Sequence, residues 1–280
     1  MRSTLSQQAK QNPITNNKAV SATLTRGLVQ RTPKLLYGVG GLMVLVLLWS
    51  VGIRALEVRI PLAASLAPWE TFQSLYTLIS SGELTHHTLM SIQRVLVGLS
   101  LALLIGVPLG LAVGGSRVLE NASSTAFQFL RMISPLSWMP IAVMVFGIGD
   151  APIYFLLTFA AVWPIMLNTA AGVRQLDRSW LMLAKSLSAT RSEVIFRIVV
   201  PGILGHVLTG VRLAIGVIWI ILVPCEMLGV SSGLGYYILD TRDRLAYSEL
   251  MAVIILIGAL GFLLDDLAQR AYRHWSRTTR

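Results

Sequence analysis

Gly229-Val230-Ser231-Ser232-Gly233 fits the GxSxG spacing of a nucleophilic serine. That chemistry needs a strand before the serine, a helix after it, and a histidine and an acid within reach. Here an apolar stretch of helical length precedes Ser231. His206, at the other end of that stretch, would lie roughly 35 Å away along a continuous helix. The glycines therefore read as a turn out of a helix, and an enzymatic role is not expected. The single cysteine, Cys225, forms no internal disulfide and no Cys-rich metal site. His86, His87, His206 and His274 make no HExxH pair. No Lys follows a GxxxxG run, so the chain lacks a Walker A loop and is expected to hold no cofactor itself. ATP-driven work would need ATP bound by another subunit.

Charged and polar residues inside apolar runs are the remaining chemical candidates. Arg94, Arg212 and Glu226 sit in such runs, where ionisable groups are costly and face protein or a water-filled path. The arginines either create a positive field for an anion or serve as structural ion pairs or snorkelling groups. Arg131 lies at the start of the apolar core of another run and could also be interfacial. Pro108, Pro135, Pro140, Pro164 and Pro224 are expected to kink or interrupt helices. Broken helices at membrane depth line cavities. Met139, Trp163, Asn168 and Met227 flank these sites and, with Arg94 and Arg212, are the candidate path residues. Asn168, four residues after Pro164, could equally satisfy carbonyls that the proline frees.

The elements that must position these groups are membrane spans. Of 280 residues, 54% are hydrophobic and 13% charged, with mean hydropathy +0.68. A soluble domain is about a quarter charged, so an all-α, polytopic membrane protein is expected. The net charge of +10 is clustered, as orientation signals are, and no nucleic-acid-binding motif accompanies it. Six spans are predicted: Leu35–Ile53, Thr88–Val113, Ala122–Phe146, Ile153–Val173, Ile203–Met227 and Tyr247–Ala268. Residues 1–34 carry six basic and no acidic residues and read as a disordered cytoplasmic tail ahead of a membrane domain over 35–280. Basic residues in the 174–201 loop and the C-terminal tail put both, with the N-terminus, in the cytoplasm.

Two patterns shape this domain. Gly98, Ala102, Gly106, Gly110 and Gly114 recur every four residues, a stripe that lets another helix approach closely. The second is the segment Leu183–Pro201, "LAKSLSATRSEVIFRIVVP". Thr190 with Glu193 forms a capping-box pattern, so a helix starts after Thr190 and runs to about Val200. Ser179–Leu187 is helical in pattern, and the chain must turn at Leu187-Ser188-Ala189. In the second helix Val194, Ile195, Ile198 and Val199 can face protein, with Arg191 and Arg197 facing water or a partner. Periodicity alone also allows an amphipathic helix resting on the inner leaflet.

The same segment resembles the cytoplasmic loop of permease subunits of ATP-binding-cassette importers. That pattern is Glu-Ala-Ala, three residues, Gly, nine residues, Ile, one residue, Leu-Pro. Met182-Leu183-Ala184, Ser188, Ile198 and Val200-Pro201 take those places at matching spacing. Met182 offers no carboxylate, and Ser188 stands where Gly would adopt a left-handed conformation cheaply. "SIQRVLVGLSLALLIGVPLGLAVGG", "RMISPLSWMPIAVMVFGIGD", "VWPIMLNTAAGV" and "TGVRLAIGVIWIILVPCEMLGVSSGLGYYI" extend the likeness to the nitrate, sulfonate, taurine and bicarbonate importer group over about residues 85 to 270.

The resemblance implies a type I importer permease in a bacterial inner membrane, with both termini inside. It implies alternating access, with a coupling helix in the 174–201 loop seated in a cytoplasmic ATPase. Ala184, Leu187, Ser188 and Ala189 would touch that ATPase, with Arg191 at the rim. The implied partners are a second permease copy, expected as a homodimer, two ATPase subunits holding ATP and Mg, and an extracytoplasmic solute-binding protein. The implied cargo is a small anion, nitrate first, then sulfonate, taurine, bicarbonate or cyanate. A secondary transporter or channel without an ATPase is the rival reading.

Overall fold

The computed structural model describes residues 32–278, and every regular element among them is helical. The expected tail lies outside the described residues up to position 31, and the first helix, α1 (Thr32–Glu57), takes in residues 32–34. The chain divides into two compact units, Met1–Pro68 and Trp69–Arg280. In the first, α1 is apolar and long enough to cross a membrane, and a 3-10 turn, Pro61–Leu66, follows it.

The second unit contains α2 (Pro68–Ser80), α3 (Glu83–Gly115), α4 (Arg117–Met132), α5 (Met139–Phe146) and α6 (Asp150–Gln175). Next come α7 (Arg178–Ser186), α8 (Arg191–Val194), α9 (Val200–Gly229), α10 (Leu234–Asp243) and α11 (Tyr247–Thr278). A π-helical stretch, Ile195–Val199, welds α8 to α9. The helix expected after Thr190 therefore begins on schedule but is the first turn of the long fifth-span helix. Within it Val194, Ile198 and Val199 are half-buried as expected, whereas Ile195 is exposed.

Packing centres on α6, whose membrane-spanning window is far more buried than that of any other span. The small-residue stripe of α3 is its seat. A Cβ added at Gly98 would come within 2.7 Å of Leu157 Cβ. One added at Gly110 would lie 2.7 Å from the Met166 carbonyl, and one at Gly114 2.7 Å from the Ala170 carbonyl. Only backbones without side chains between them approach so closely. These contacts advance together along both chains, so α3 and α6 run parallel. On the other side, Gly210 of α9 meets Pro164–Ile165, and His206 meets Gly172, so α9 is antiparallel. A second apolar cluster joins α2, α3, α10 and α11 through Leu78, Leu84, Leu234, Tyr237, Ala252 and Val253.

Interruption, one of the two outcomes expected of the prolines, does not occur at three positions. α3, α6 and α9 run without interruption through Pro108, Pro164 and Pro224. One missing N–H costs little when neighbouring helices hold the strand of backbone and no water competes. Pro135 does interrupt. It disfavours the helical conformation at Ser134, Ile133 before it is already extended, and the third predicted span breaks there into two parts inclined at 84°. That bent pair still crosses. α3 ends at Gly115, whereas Asp150 at the start of α6 pairs with Arg94, near the opposite end of α3. The intervening chain must return roughly 30 Å, the helical rise between those positions. Five long spans and one bent span make six.

Candidate functional site

Three places gather polar groups. The first is the elbow between α7 and α8. Asp177 caps α7 by accepting the Ser179 N–H at 2.9 Å, which holds its carboxyl below the usual range. At the other end Ala189 N–H donates to the Ala184 carbonyl at 3.0 Å and Ser188 N–H to Lys185 at 3.1 Å. This bond pair is a Schellman motif, whose C′ residue is left-handed. That residue is Ser188, with φ +55°. Thr190 and Glu193 then close the predicted capping box, with Thr190 N–H donating to Glu193 Oε2 at 2.9 Å. That bond lowers the Glu193 pKa. A folded value below the unfolded one means stabilisation present above the unfolded value and lost as pH falls through the folded value. At neutral pH the box is intact.

The elbow presents Trp180, Met182, Leu183 and Leu187 outward, Leu187 being 74% exposed. Ser188 and Arg191 are exposed, Ala189 is half-buried, and Ala184 is buried at 4%. Ala184, one of the residues expected at the ATPase contact, is the buried member of that set.

Replacing Ser188 by Gly should stiffen this turn. A left-handed L-residue costs about 1–2 kcal/mol, against about 0.5–1 kcal/mol for the entropy of Gly. A net gain of up to about 1.5 kcal/mol is expected, read as slower hydrogen exchange of the amides at position 188 and at Ala189. Faster exchange would contradict it.

The second place is at the outer end. Arg94 is 2% exposed and Glu226 0%. Arg94 Nη1 donates to Glu226 Oε1 at 2.7 Å and to the Ser232 carbonyl at 2.7 Å. Nε and Nη2 both reach Asp150 Oδ1 at 2.8 Å, and Nη2 also donates to Ser232 Oγ at 3.1 Å. All donors of the guanidinium fork are thus engaged. Glu226 further accepts from Ser91 Oγ at 2.8 Å and from the Gly235 N–H at 2.9 Å. Gly233, with φ +112°, passes so close that a Cβ would lie 2.5 Å from Arg94 Nη1. The GxSxG stretch is therefore a turn wrapped around an ion cluster. One guanidinium faces two carboxylates, so the cluster presents no surplus positive charge to an anion.

The third place is a cavity of about 590 Å³ between α6, α9 and the chain break before Pro135, walled by Trp163, Asn168, Leu213, Val217 and Arg131 among others. Trp163 is fixed edge-on against Phe159, centroids 5.5 Å apart. Asn168 donates to the Pro164 carbonyl at 2.8 Å. The carbonyl that Pro164 leaves unpaired is that of Ala160, so the amide does not repair the proline.

Of the path candidates, the structure brings Trp163 and Asn168 together on this cavity. Arg94 lies in the outer cluster. Arg212 pairs with Asp265 at 3.0 Å. Met139 is buried in the core cluster around α6, and Met227 is half-buried near the outer end of α9. From the sequence, Arg131 is a charge at the start of an apolar run that could also be interfacial, and it is not among the path candidates. Its signal was its position just before the Pro135 break.

The sequence profile described as "Binding-protein-dependent transport system inner membrane component" matches residues 102–279. The bicarbonate transport system permease protein CmpB of Synechococcus elongatus is 34% identical over 244 residues, covering 84% of this chain and 87% of that protein. The nitrate import permease protein NrtB of Synechocystis sp. is 29% identical over 243 residues, covering 84% and 86%. Among solved structures, the MetNI methionine ABC transporter in inward-facing conformation aligns with TM-score 0.57 at 18% identity, covering 66% of this chain and 92% of that one; that likeness is one of fold. Six spans, the elbow's spacing and these matches agree: the chain belongs to the inner-membrane permease components of binding-protein-dependent, ATP-binding-cassette import systems.

Proposed function

We propose that this chain forms, with a second copy of itself, the membrane pathway of an ATP-driven importer for a small oxyanion, nitrate first among the candidates. The observation that carries this reading is the elbow. A rigid, doubly capped turn offers exposed apolar side chains and Arg191 on the basic side of the membrane. Such a patch suits a protein partner more than water. Two cytoplasmic cassette ATPases would bind ATP and Mg and seat on it, and their closure would move the elbow. The 39-residue continuous helix Arg191–Gly229 is a stiff lever from elbow to outer cluster. Alternating access follows if two such levers rock together. An external binding protein would deliver the solute. The anion reading draws on the bicarbonate and nitrate permeases among the relatives.

Reconstituted vesicles test it. Vesicles holding the permease, its cassette ATPase and its binding protein should take up nitrate, bicarbonate or taurine only with ATP present. Equal uptake by vesicles holding the permease alone would overturn the ATP-driven reading.

A further inference from the structure

We propose that Arg131, together with the Asn168 carboxamide, is the anion-binding site on the inner half of the pathway, and that its ligand is a small oxyanion; this rests on the oxyanion reading above. Arg94, Arg212 and Arg131 sit inside or at the edge of the apolar runs of the second unit. Arg94 is matched by Glu226 and Asp150, and Arg212 by Asp265. Arg131 has no carboxylate within ion-pair distance among the described residues. It is thus the one of the three whose charge is available to a ligand.

Its surroundings are those of a small-ligand site. The 590 Å³ cavity is walled by apolar side chains, with Arg131 and Asn168 as its charged and amide groups. Apolar walls with a few polar groups are the usual composition of such sites. Asn168 spends one N–H on the Pro164 carbonyl, which fixes the amide plane and leaves its second N–H to donate. A guanidinium grips a planar oxyanion through two parallel N–H bonds, and Arg131 is exposed, so a ligand can reach its fork.

Arg131 also lines a second cavity, of about 230 Å³. The two cavities share Arg131, Trp163 and Leu167 as common wall. The second continues along α6 through Ala170 to Arg174, whose guanidinium is paired with Glu120. The unpaired charge therefore sits where an apolar chamber meets a more polar one that leads to the cytoplasmic end of α6. An anion held at Arg131 has a route onward.

The test is nitrate uptake by the full complex in vesicles, with bicarbonate and taurine as parallel probes. Arg131→Gln should raise the half-saturating concentration of the transported anion about tenfold to a hundredfold, the loss of one charge-assisted pair. Arg131→Lys, which keeps the charge but not the fork, should fall between. Co-elution with the ATPase checks that each variant folds. If Arg131→Gln fails that check, Asn168→Ala should shift the same half-saturation upward. Wild-type half-saturation in the folded variants overturns the site and leaves the oxyanion reading standing. A wild-type complex that imports none of the three anions overturns both.

Discussion

Arg94→Gln is expected to cripple folding rather than transport. The substitution leaves Glu226, 0% exposed, without its cation. Removing one partner of a buried ion pair costs about 3–5 kcal/mol, a large share of the 5–15 kcal/mol that typical domains possess. The remaining Ser91 and Gly235 bonds to Glu226 cannot neutralise it. Yield of monodisperse protein and its melting temperature should both drop sharply. Arg94→Gln with Glu226→Gln removes the orphan charge and should recover much of the loss. Asp150→Asn should be mild, because Asp150 is 44% exposed and leaves the buried pair whole. A folded Arg94→Gln protein with reduced uptake alone would return Arg94 to the role of anion attractor. Equal damage from all three variants would show that the cluster does not divide into a buried pair and an outer strut.

The sequence made visible whatever depends on near neighbours. The capping box at Thr190 and Glu193 is a local bond pair, and it forms. The left-handed residue at Ser188 follows from a helix that must stop and turn within a few residues. The stripe from Gly98 to Gly114 announces a close helix contact, and α6 makes it. What stayed hidden was the identity of distant partners. Arg94 meets Asp150 across 56 residues and Glu226 across 132, and no periodicity encodes those pairings. Pro108, Pro164 and Pro224 interrupt no helix, because neighbouring helices offset a local penalty that is all the sequence displays. The burial of Ala184 was hidden in a related way, because the family pattern marks its position but not how deep its side chain lies. Arg131 was passed over because its value depends on what the other arginines do.

Leu187→Glu should abolish the stable association of the permease with its cassette ATPase while leaving the permease folded. Leu187 is 74% exposed and stands at the tip of the elbow. Burying such a side chain in a groove contributes about 1.5–3 kcal/mol. A carboxylate in its place loses that and adds the cost of an unpaired buried charge, so a loss beyond about a hundredfold in affinity is expected. The elbow itself is held by backbone bonds, Leu187 N–H to Leu183, Ser188 to Lys185 and Ala189 to Ala184, none of which needs the leucine side chain. Ala189→Arg should have the same outcome with some cost to the half-buried turn. Ala184→Glu should differ in kind, because a carboxylate there enters a buried place and loosens the elbow before any partner arrives. Co-elution separates the two proposed uses of this surface. If the elbow merely rested on the inner leaflet, Leu187→Glu would release it from lipid and leave the ATPase complex unchanged. A complex that survives Leu187→Glu and Ala189→Arg at wild-type yield would remove the elbow from the coupling pathway.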